Sequence, residues 1–206
     1  MWLLKTVAIV VLGYLLGNLN GAILTSKLRG DDVRSHGSGN AGLTNFIRSY
    51  GANHSLLVIL IDAGKGVLSC VIGGLLLKAD FGSFAAGAAV GGAAVMLGHM
   101  FPVFFGFRGG KGILTGLFIA VVVDWRVALL ILAVFAVIYF STRFVSLSSV
   151  MASAAFAVGF VIFRHQEIIT MCCGIFMGAM AVFMHRSNIV RLVKGQETKT
   201  DLFKKK

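Results

Sequence analysis

Long apolar stretches constrain this chain more than any other feature of its sequence. Hydrophobic residues make up 57% of it and charged residues only 13%, against about 25% charged residues in soluble domains. About 20 apolar residues suffice for a helix that crosses a bilayer. The stretches assigned to membrane helices are residues 2–26, 54–77, 81–105, 113–123, 127–140, 147–163 and 168–184. The sequence predicts an all-α, polytopic integral membrane protein of one domain, 1–206, with about seven transmembrane helices.

Two of these stretches are short. Residues 113–123 would extend only about 16 Å as a helix, and residues 127–140 are also shorter than a usual span. The pair either crosses the membrane twice or forms a shallow re-entrant hairpin. Both alternatives return the chain to the same side, so the orientation of the later helices does not depend on the choice.

The distribution of basic residues predicts the orientation. With the N-terminus outside, fourteen of the 19 lysines and arginines fall on the cytoplasmic side and four on the outer side, while Lys65 lies within a span. This follows the positive-inside rule and places the C-terminus in the cytoplasm, with residues 194–206 as a basic tail near anionic lipid. The net charge of +11 is spread between the apolar stretches, so we expect no nucleic-acid partner.

A polar, glycine-rich segment covers residues 37–48, GSGNAGLTNFIR. Glycines let backbone N–H groups approach an anion closely, and an arginine can bind phosphate through two hydrogen bonds. A solvated glycine-rich turn is the alternative, but it needs no such density of donors. The candidate binding residues are Ser38, Gly39, Asn40, Thr44, Asn45 and Arg48.

A second segment, residues 98–112, reads GHMFPVFFGFRGGKG. The glycines Gly109, Gly110 and Gly112 surround Lys111, so the backbone can turn tightly around an anion beside the ammonium group. It is not a Walker A loop, because Gly112 stands where that motif has serine or threonine. Nucleotide hydrolysis is therefore not expected, and the alternative is a simple basic turn.

A third segment, HRSNIVR, covers residues 185–191 and follows the last apolar stretch directly. If the helix continues, His185 and Asn188 lie on one face at i, i+3. A basic flank that stops membrane insertion is the alternative. All three segments fall on the predicted cytoplasmic side.

Several residues within the apolar stretches have structural interpretations. Asp62 and Lys65 lie at i, i+3 inside a span, where they can neutralise each other, and we favour a structural or loop-anchoring role over chemistry. Gly87 and Gly91 have the spacing of closely packed membrane helices. The cysteines, Cys70, Cys172 and Cys173, lack metal-ligand spacing, so we expect reduced thiols and neither a metal nor a cofactor.

Taken together, the three segments resemble the cytoplasmic motifs of the bacterial acyl-phosphate:glycerol-3-phosphate acyltransferases, in the same order and spacing along nearly the whole chain. The resemblance implies transfer of a fatty acyl group from acyl phosphate to the 1-hydroxyl of sn-glycerol 3-phosphate. Lysophosphatidic acid and phosphate would be released, in the first acylation step of phospholipid biosynthesis. It also implies a multi-pass protein of the bacterial inner membrane, in contact with membrane lipid. The enzyme that makes acyl phosphate from acyl carrier protein would supply the donor.

On this resemblance, Ser38 and Arg48 would hold the glycerol phosphate, and Lys111 with its glycines would bind phosphate and stabilise transition-state charge. His185 and Asn188 would orient the glycerol hydroxyls. The donor's phosphate would take the hydroxyl proton, with His185 as the reserve general base. The expected catalytic residues are Arg48, Lys111, His185 and Asn188.

Two functions of other classes compete with this one. A membrane transporter of an organic phosphate would use similar basic loops, but it should also show broken helices, mid-span polar groups and internal repeats. Only Asp62 and Lys65 place charge in the middle of a span, and no repeat is evident. A non-catalytic membrane scaffold would not explain three separate polar segments on one side.

Overall fold

The computed structural model describes residues 1–199, which form helices and connecting loops with no β-strand among them. The helices are α1 Trp2–Gly17, α2 Gly21–Lys27, α3 Leu43–Tyr50, α4 Ser55–Phe81, α5 Phe84–Met100, α6 Ile113–Val123, α7 Trp125–Thr142, α8 Val145–Arg164, α9 Ile168–Met184 and α10 Arg186–Val193. The predicted all-α class is confirmed. Residues 200–206 of the predicted basic tail lie outside the described residues.

Helix length and composition fit a multi-pass membrane protein. Within residues 1–199, four helices are long and apolar enough to span a membrane, and the number rises to six if each of two bent pairs is one span. The stretch predicted at 127–140 is longer than expected, because α7 extends over 18 residues. Helix α6 has 11 residues and remains short. The count of seven spans and the orientation stay predictions.

The chain forms two compact units, Met1–Val123 and a second unit that begins at Asp124. In the first unit, α5 packs on α1, α4 and α6. A Cβ at Gly87 would strike the carbonyl of Gly73, and one at Gly91 would strike the carbonyl of Ser69. These glycines therefore let α4 and α5 approach closely, as their spacing predicted.

Residues 2–26, assigned to one membrane helix, form two helices, because the first breaks at Asn18–Asn20 and α2 continues at an angle of 42°. Asn20 leaves the helical conformation, with φ −84° and ψ 115°, and its side-chain oxygen accepts a hydrogen bond from the N–H of Ile23. It therefore begins a new helix as an N-cap. Elsewhere in the unit, Lys5 and Asp80 join α1 to α4 through a 2.8 Å ion pair.

In the second unit, α8 packs against both α7 and α9. Asp124 precedes α7 and accepts hydrogen bonds from the guanidinium groups of Arg126 and Arg164, each at 2.7 Å. Burial opposes ionisation of this carboxyl, but the two arginines outweigh burial and lower its pKa to about 2. The carboxylate thus joins the start of α7 to the end of α8.

The last apolar stretch ends where the sequence placed its end, and the third segment does not continue it as a straight helix. Helix α9 ends at Met184, and α10 starts at Arg186 with a bend of 53° between them. His185 forms the junction with φ −92° and ψ 6°, a conformation outside the regular helix. The third segment is therefore a corner and a short second helix rather than a straight extension.

Candidate anion-binding site

The first segment is a tight loop over residues 37–42 followed by the first turns of α3, and a buried asparagine of the helix organises the loop. The side-chain oxygen of Asn45 accepts the N–H of Ser38 at 2.9 Å, and its amide group donates to the carbonyls of Val33 and His36 at 3.1 and 3.0 Å. Gly37, at φ +55°, lies so close that a Cβ would strike the Asn45 side chain. Asn45 therefore shapes the loop, and its direct contact with a substrate stays a prediction.

The remaining polar groups of this loop face outward to different degrees. Ser38, Gly39 and Arg48 are exposed, while Asn40 and Thr44 are half-buried. Helix α3 starts after Gly42, which has no side chain to cap it. The N–H groups of a first helical turn have no partner within the helix and favour an anion. The segment thus combines the start of α3, which no side chain caps, with Arg48, which is exposed near the end of the same helix.

The second segment folds back on the end of α5. The N–H of Gly109 donates to the carbonyl of Met100 at 3.2 Å, and the N–H of Gly110 donates to the carbonyl of His99 at 3.1 Å. A Cβ at Gly110 would strike the His99 ring and approach the carbonyl of Ala41. These two glycines therefore serve close packing, since their N–H groups are already used to fold the loop.

Lys111 follows directly and is half-buried at the start of α6. Gly112, at φ +82°, adopts a conformation that favours glycine. The geometry thus gives a physical reason for each glycine around Lys111. The direct contact of these glycines with phosphate stays a prediction.

The first and second segments meet within the first unit. Gly110 lies against the carbonyl of Ala41, in the middle of the first segment. Arg34, just before that segment, donates to the carbonyls of Phe105 and Arg108 at 2.7 and 3.3 Å. Two separate stretches of sequence therefore pack against each other and place their polar residues in one region of the first unit.

Arg34 was missed by sequence reasoning, which counted it only as a basic residue. Its guanidinium also forms a forked interaction with Asp32, with a shortest distance of 2.7 Å. The hydrogen bonds from Arg34 lower the pKa of Asp32 to about 2. The Asp-x-Arg spacing at positions 32–34 was the available signal, but it does not reveal partners 71 positions away.

A buried charged cluster lies beside these loops. Asp62 and Lys65 form a 2.8 Å ion pair with both side chains 2% exposed, as their spacing predicted. Lys65 Nζ also lies 2.8 Å from Nδ1 of His99. Because an ammonium group only donates, Nδ1 accepts, and the proton of a neutral imidazole then sits on Nε2, the atom that faces Gly110.

The third segment belongs to the second unit. His185 is 3% exposed, and its Nδ1 lies 2.8 Å from the carbonyl oxygen of Ala181. A carbonyl can only accept, so Nδ1 carries the proton and Nε2 carries the lone pair. This tautomer gives His185 a basic nitrogen on the side of the ring away from the helix backbone.

Asn188 is held by a residue that sequence reasoning left outside every motif. Glu197 accepts a hydrogen bond from the amide of Asn188 at 3.2 Å and another from Arg191 at 2.7 Å. Residues 194–206 were treated as a basic tail, and a single glutamate within them was the signal available. The carboxylate connects the end of the described chain back to the third segment.

Among residues 1–199, no group of three or more His, Cys, Asp or Glu side chains is arranged to hold a metal ion. The three cysteines are free thiols, with Cys70 buried and Cys172 exposed.

Comparisons with known proteins agree over nearly the full chain. A family model described as Glycerol-3-phosphate acyltransferase matches residues 7–195. The glycerol-3-phosphate acyltransferase of Thermoanaerobacter pseudethanolicus is 39% identical over 190 residues, covering 92% of each chain. That of Aquifex aeolicus is 38% identical over 195 residues, covering 94% of this chain and 98% of the relative.

Two solved structures are also similar. Both are crystal structures of PlsY, described as an integral membrane glycerol 3-phosphate acyltransferase. The glycerol 3-phosphate form has a TM-score of 0.85 and 34% identity, covering 97% of this chain and 99% of that one. The lysophosphatidic acid form has a TM-score of 0.81 and 36% identity, covering 95% of each chain.

Proposed function

Because the chain belongs to the glycerol-3-phosphate acyltransferase family, we propose that it transfers a fatty acyl group from acyl phosphate to the 1-hydroxyl of sn-glycerol 3-phosphate. The ester bond forms between that hydroxyl oxygen and the acyl carbon, and the bond between the acyl carbon and the phosphate oxygen breaks. Lysophosphatidic acid and inorganic phosphate leave, and the hydroxyl proton passes to a base. Supply of acyl phosphate by an enzyme that uses acyl carrier protein is part of the proposal.

The observation that carries this proposal is the packing of the first segment against the second, where Gly110 lies on the carbonyl of Ala41. This contact joins the segment that bears Arg48 to the segment that bears Lys111. Both substrates carry phosphate, so a site with several cations and N–H donors is required. The two segments supply such donors in one region of the first unit.

In the proposed site, Ser38 and Arg48 bind the phosphate of the acceptor, with Gly39, Asn40 and Thr44 completing the loop that Asn45 shapes. Lys111 binds the donor's phosphate and stabilises the charge that develops on the leaving group. Gly109, Gly110 and Gly112 let the loop turn closely enough to present this ammonium group. A mixed anhydride has a good leaving group, so charge stabilisation matters more than a strong base.

His185 and Asn188 orient the glycerol hydroxyls in the proposal. The donor's own phosphate takes the hydroxyl proton, and Nε2 of His185 is the reserve base, since Nδ1 is engaged by Ala181. Loss of turnover in His185→Ala would follow either from misplaced hydroxyls or from loss of the base. Substantial turnover in that variant would leave the phosphate as the acceptor.

The protein is a multi-pass membrane protein, and we propose that the three segments face the cytoplasm of a bacterial cell at its inner membrane. The charge asymmetry of the loops supports this orientation. A cytoplasmic site would meet soluble glycerol 3-phosphate on one side and lipid on the other.

The test uses purified protein in lipid with palmitoyl phosphate and glycerol 3-phosphate. Phosphate release and lysophosphatidic acid formation are followed together, with palmitoyl-CoA as a parallel donor. We expect equal amounts of both products, formed from the acyl phosphate alone and lost in Lys111→Ala and Arg48→Ala.

The same preparation separates this function from transport of an organic phosphate. The break between α1 and α2 is a feature expected of transporters, but its polar groups are engaged by Asp62 and Lys65 rather than open to a substrate. The function would be transport rather than acyl transfer if well-folded protein formed no lysophosphatidic acid but carried glycerol 3-phosphate into vesicles. Near-normal turnover in Lys111→Ala would instead refute the site.

A further inference from the structure

Two asparagines in the break between α1 and α2 form hydrogen bonds with the first and second segments, called below the first and second loops. The side-chain amide of Asn20 donates to the carbonyl of Ala41 in the first segment at 3.1 Å. The side-chain oxygen of Asn18 accepts the N–H of Phe104 in the second segment at 3.2 Å. The two asparagines are 1% exposed or less. Two positions of the break, separated by Leu19, thus contact both loops.

Asp62 and Lys65 hold the break in place. Lys65 donates to the carbonyls of Gly17 and Leu19 at 3.1 and 2.8 Å, and Asp62 accepts the N–H of Gly21 at 3.0 Å. A broken helix inside a membrane leaves backbone groups that must be satisfied by the protein. The cation meets the end of α1 and the anion meets the start of α2, so each charge matches the local helix dipole.

His99 extends the same cluster to the second loop. Its Nδ1 accepts from Lys65 at 2.8 Å, and its Nε2 faces Gly110, so closely that no Cβ fits between them. The carbonyl of Ala41, which Asn20 holds, borders the same glycine. The contacts therefore run from the ion pair to both loops and meet at Gly110.

We propose that Asn18, Asn20, Asp62 and Lys65 form a clamp of positioning residues that sets the separation between the first and second loops and thereby the affinity for the acceptor. None of the four is assigned a contact with substrate. The inference rests on the proposed function, because it assigns glycerol 3-phosphate to the first loop. A clamp that only stabilised the fold would lower the amount of active enzyme without changing its substrate affinity.

Asn20 allows these two roles to be separated. Its side-chain oxygen caps α2 by accepting from Ile23 at 3.0 Å, while its amide nitrogen holds Ala41. Serine is an equally good N-cap. Its shorter side chain lacks the amide group and cannot reach the carbonyl of Ala41. Asn20→Ser therefore keeps the cap and removes the contact with the loop.

The experiment measures the KM for glycerol 3-phosphate and the KM for palmitoyl phosphate in Asn20→Ser. We expect the KM for glycerol 3-phosphate to rise by about 10- to 100-fold, because small displacements of binding groups have effects of that size. The KM for palmitoyl phosphate should change much less. KM does not depend on how much of the preparation is folded, so partial unfolding cannot imitate this result.

A matched control is Ser83→Ala, which removes the side-chain N-cap of α5 away from the loops. It should lower the thermal midpoint as a lost cap does, and leave both KM values unchanged. A second control, Lys5→Ala, breaks the ion pair of Lys5 in α1 with Asp80 in α4. A KM for glycerol 3-phosphate in Asn20→Ser within about twofold of these controls would overturn the clamp.

Asp62→Asn/Lys65→Met is the second test, and it removes the ion pair without leaving one charge buried alone. It should raise the KM for glycerol 3-phosphate in the same direction as Asn20→Ser. An unchanged KM in this folded double variant would also overturn the proposal.

Binding is measured alongside turnover as the shift in thermal midpoint that glycerol 3-phosphate produces. If the wild type binds glycerol 3-phosphate but transfers no acyl group, the proposed reaction fails and the clamp is judged by the loss of that shift in Asn20→Ser. If the wild type neither binds nor reacts, both proposals fall. If the wild type reacts and Asn20→Ser behaves like Ser83→Ala, only the clamp falls.

Discussion

Arg34 donates a 2.7 Å hydrogen bond to the carbonyl oxygen of Phe105, 71 positions further along the chain. The same guanidinium forms a forked interaction with Asp32 through Nε and Nη2. Arg34 therefore connects the turn before the first loop to the second loop. Asn20, which is buried, binds the first loop at Ala41.

The first prediction concerns the geometry of this arginine. A lysine keeps the charge but has no planar fork, so Arg34→Lys cannot bind Asp32 and Phe105 together. We expect kcat/KM for acyl transfer to fall by about tenfold, as for a modest displacement of the loops. Steady-state kinetics would measure the change, with Lys78→Ala as an exposed basic control in α4. Wild-type kcat/KM in Arg34→Lys would show that the loops are held without this bridge.

The second prediction compares two glycines. A Cβ at Gly110 would strike the His99 ring and approach the Ala41 carbonyl, whereas a Cβ at Gly64, within α4, meets nothing within 4 Å. Gly110→Ala should therefore force the two loops apart and abolish most activity. Gly64→Ala should leave activity intact and stabilise α4 by about 0.5–1 kcal/mol, since alanine is the better helix former.

Activity and thermal midpoint measured for both glycine variants would check this contrast. If Gly110→Ala retained as much activity as Gly64→Ala, the close contact of the second loop with His99 would not matter for the site.

Features with a local cause could be predicted from the sequence. The apolar stretches correspond to helices, Asp62 and Lys65 pair at i, i+3, and Gly87 packs closely on the neighbouring helix. Each of these follows from residues within one or two helical turns. The polar character of the three segments was likewise visible in their composition.

Features that depend on residues far apart in the sequence could not be predicted. The break after Gly17 depends on Lys65, 48 positions away, and α2 begins where Asp62 accepts the N–H of Gly21, 41 positions away. Glu197 reaches back to Asn188 from a stretch with the composition of a tail. An apolar pattern carries no information on such contacts, so the first span reads as continuous and the glutamate as unimportant.

The third prediction concerns pH. Asp124 has a pKa of about 2 in the folded protein, below its ordinary value of 3.8. A lowered pKa means that the carboxylate stabilises the fold above pH about 4, and that this contribution is lost as the pH falls toward about 2. The thermal midpoint of the wild type should therefore decrease through this window. The thermal midpoint of Asp124→Asn should be lower at neutral pH and should decrease less as the pH falls. Parallel curves of thermal midpoint against pH for the two proteins would contradict the assignment.

The fourth prediction concerns Glu197, which accepts hydrogen bonds from Asn188 and Arg191. Glutamine has the same size but no charge, so Glu197→Gln loses the charge-assisted bond to Arg191 and loosens the third segment. We expect kcat to fall by about tenfold, because Asn188 is no longer held in the position in which, in the proposed site, it orients the acceptor. The matched control is Glu167→Gln, which removes a carboxylate that binds Arg164 and Thr170 in the same unit. It should lower the thermal midpoint and leave kcat unchanged. Equal kcat in the two variants would mean that Glu197 supports the fold of the second unit rather than the position of Asn188.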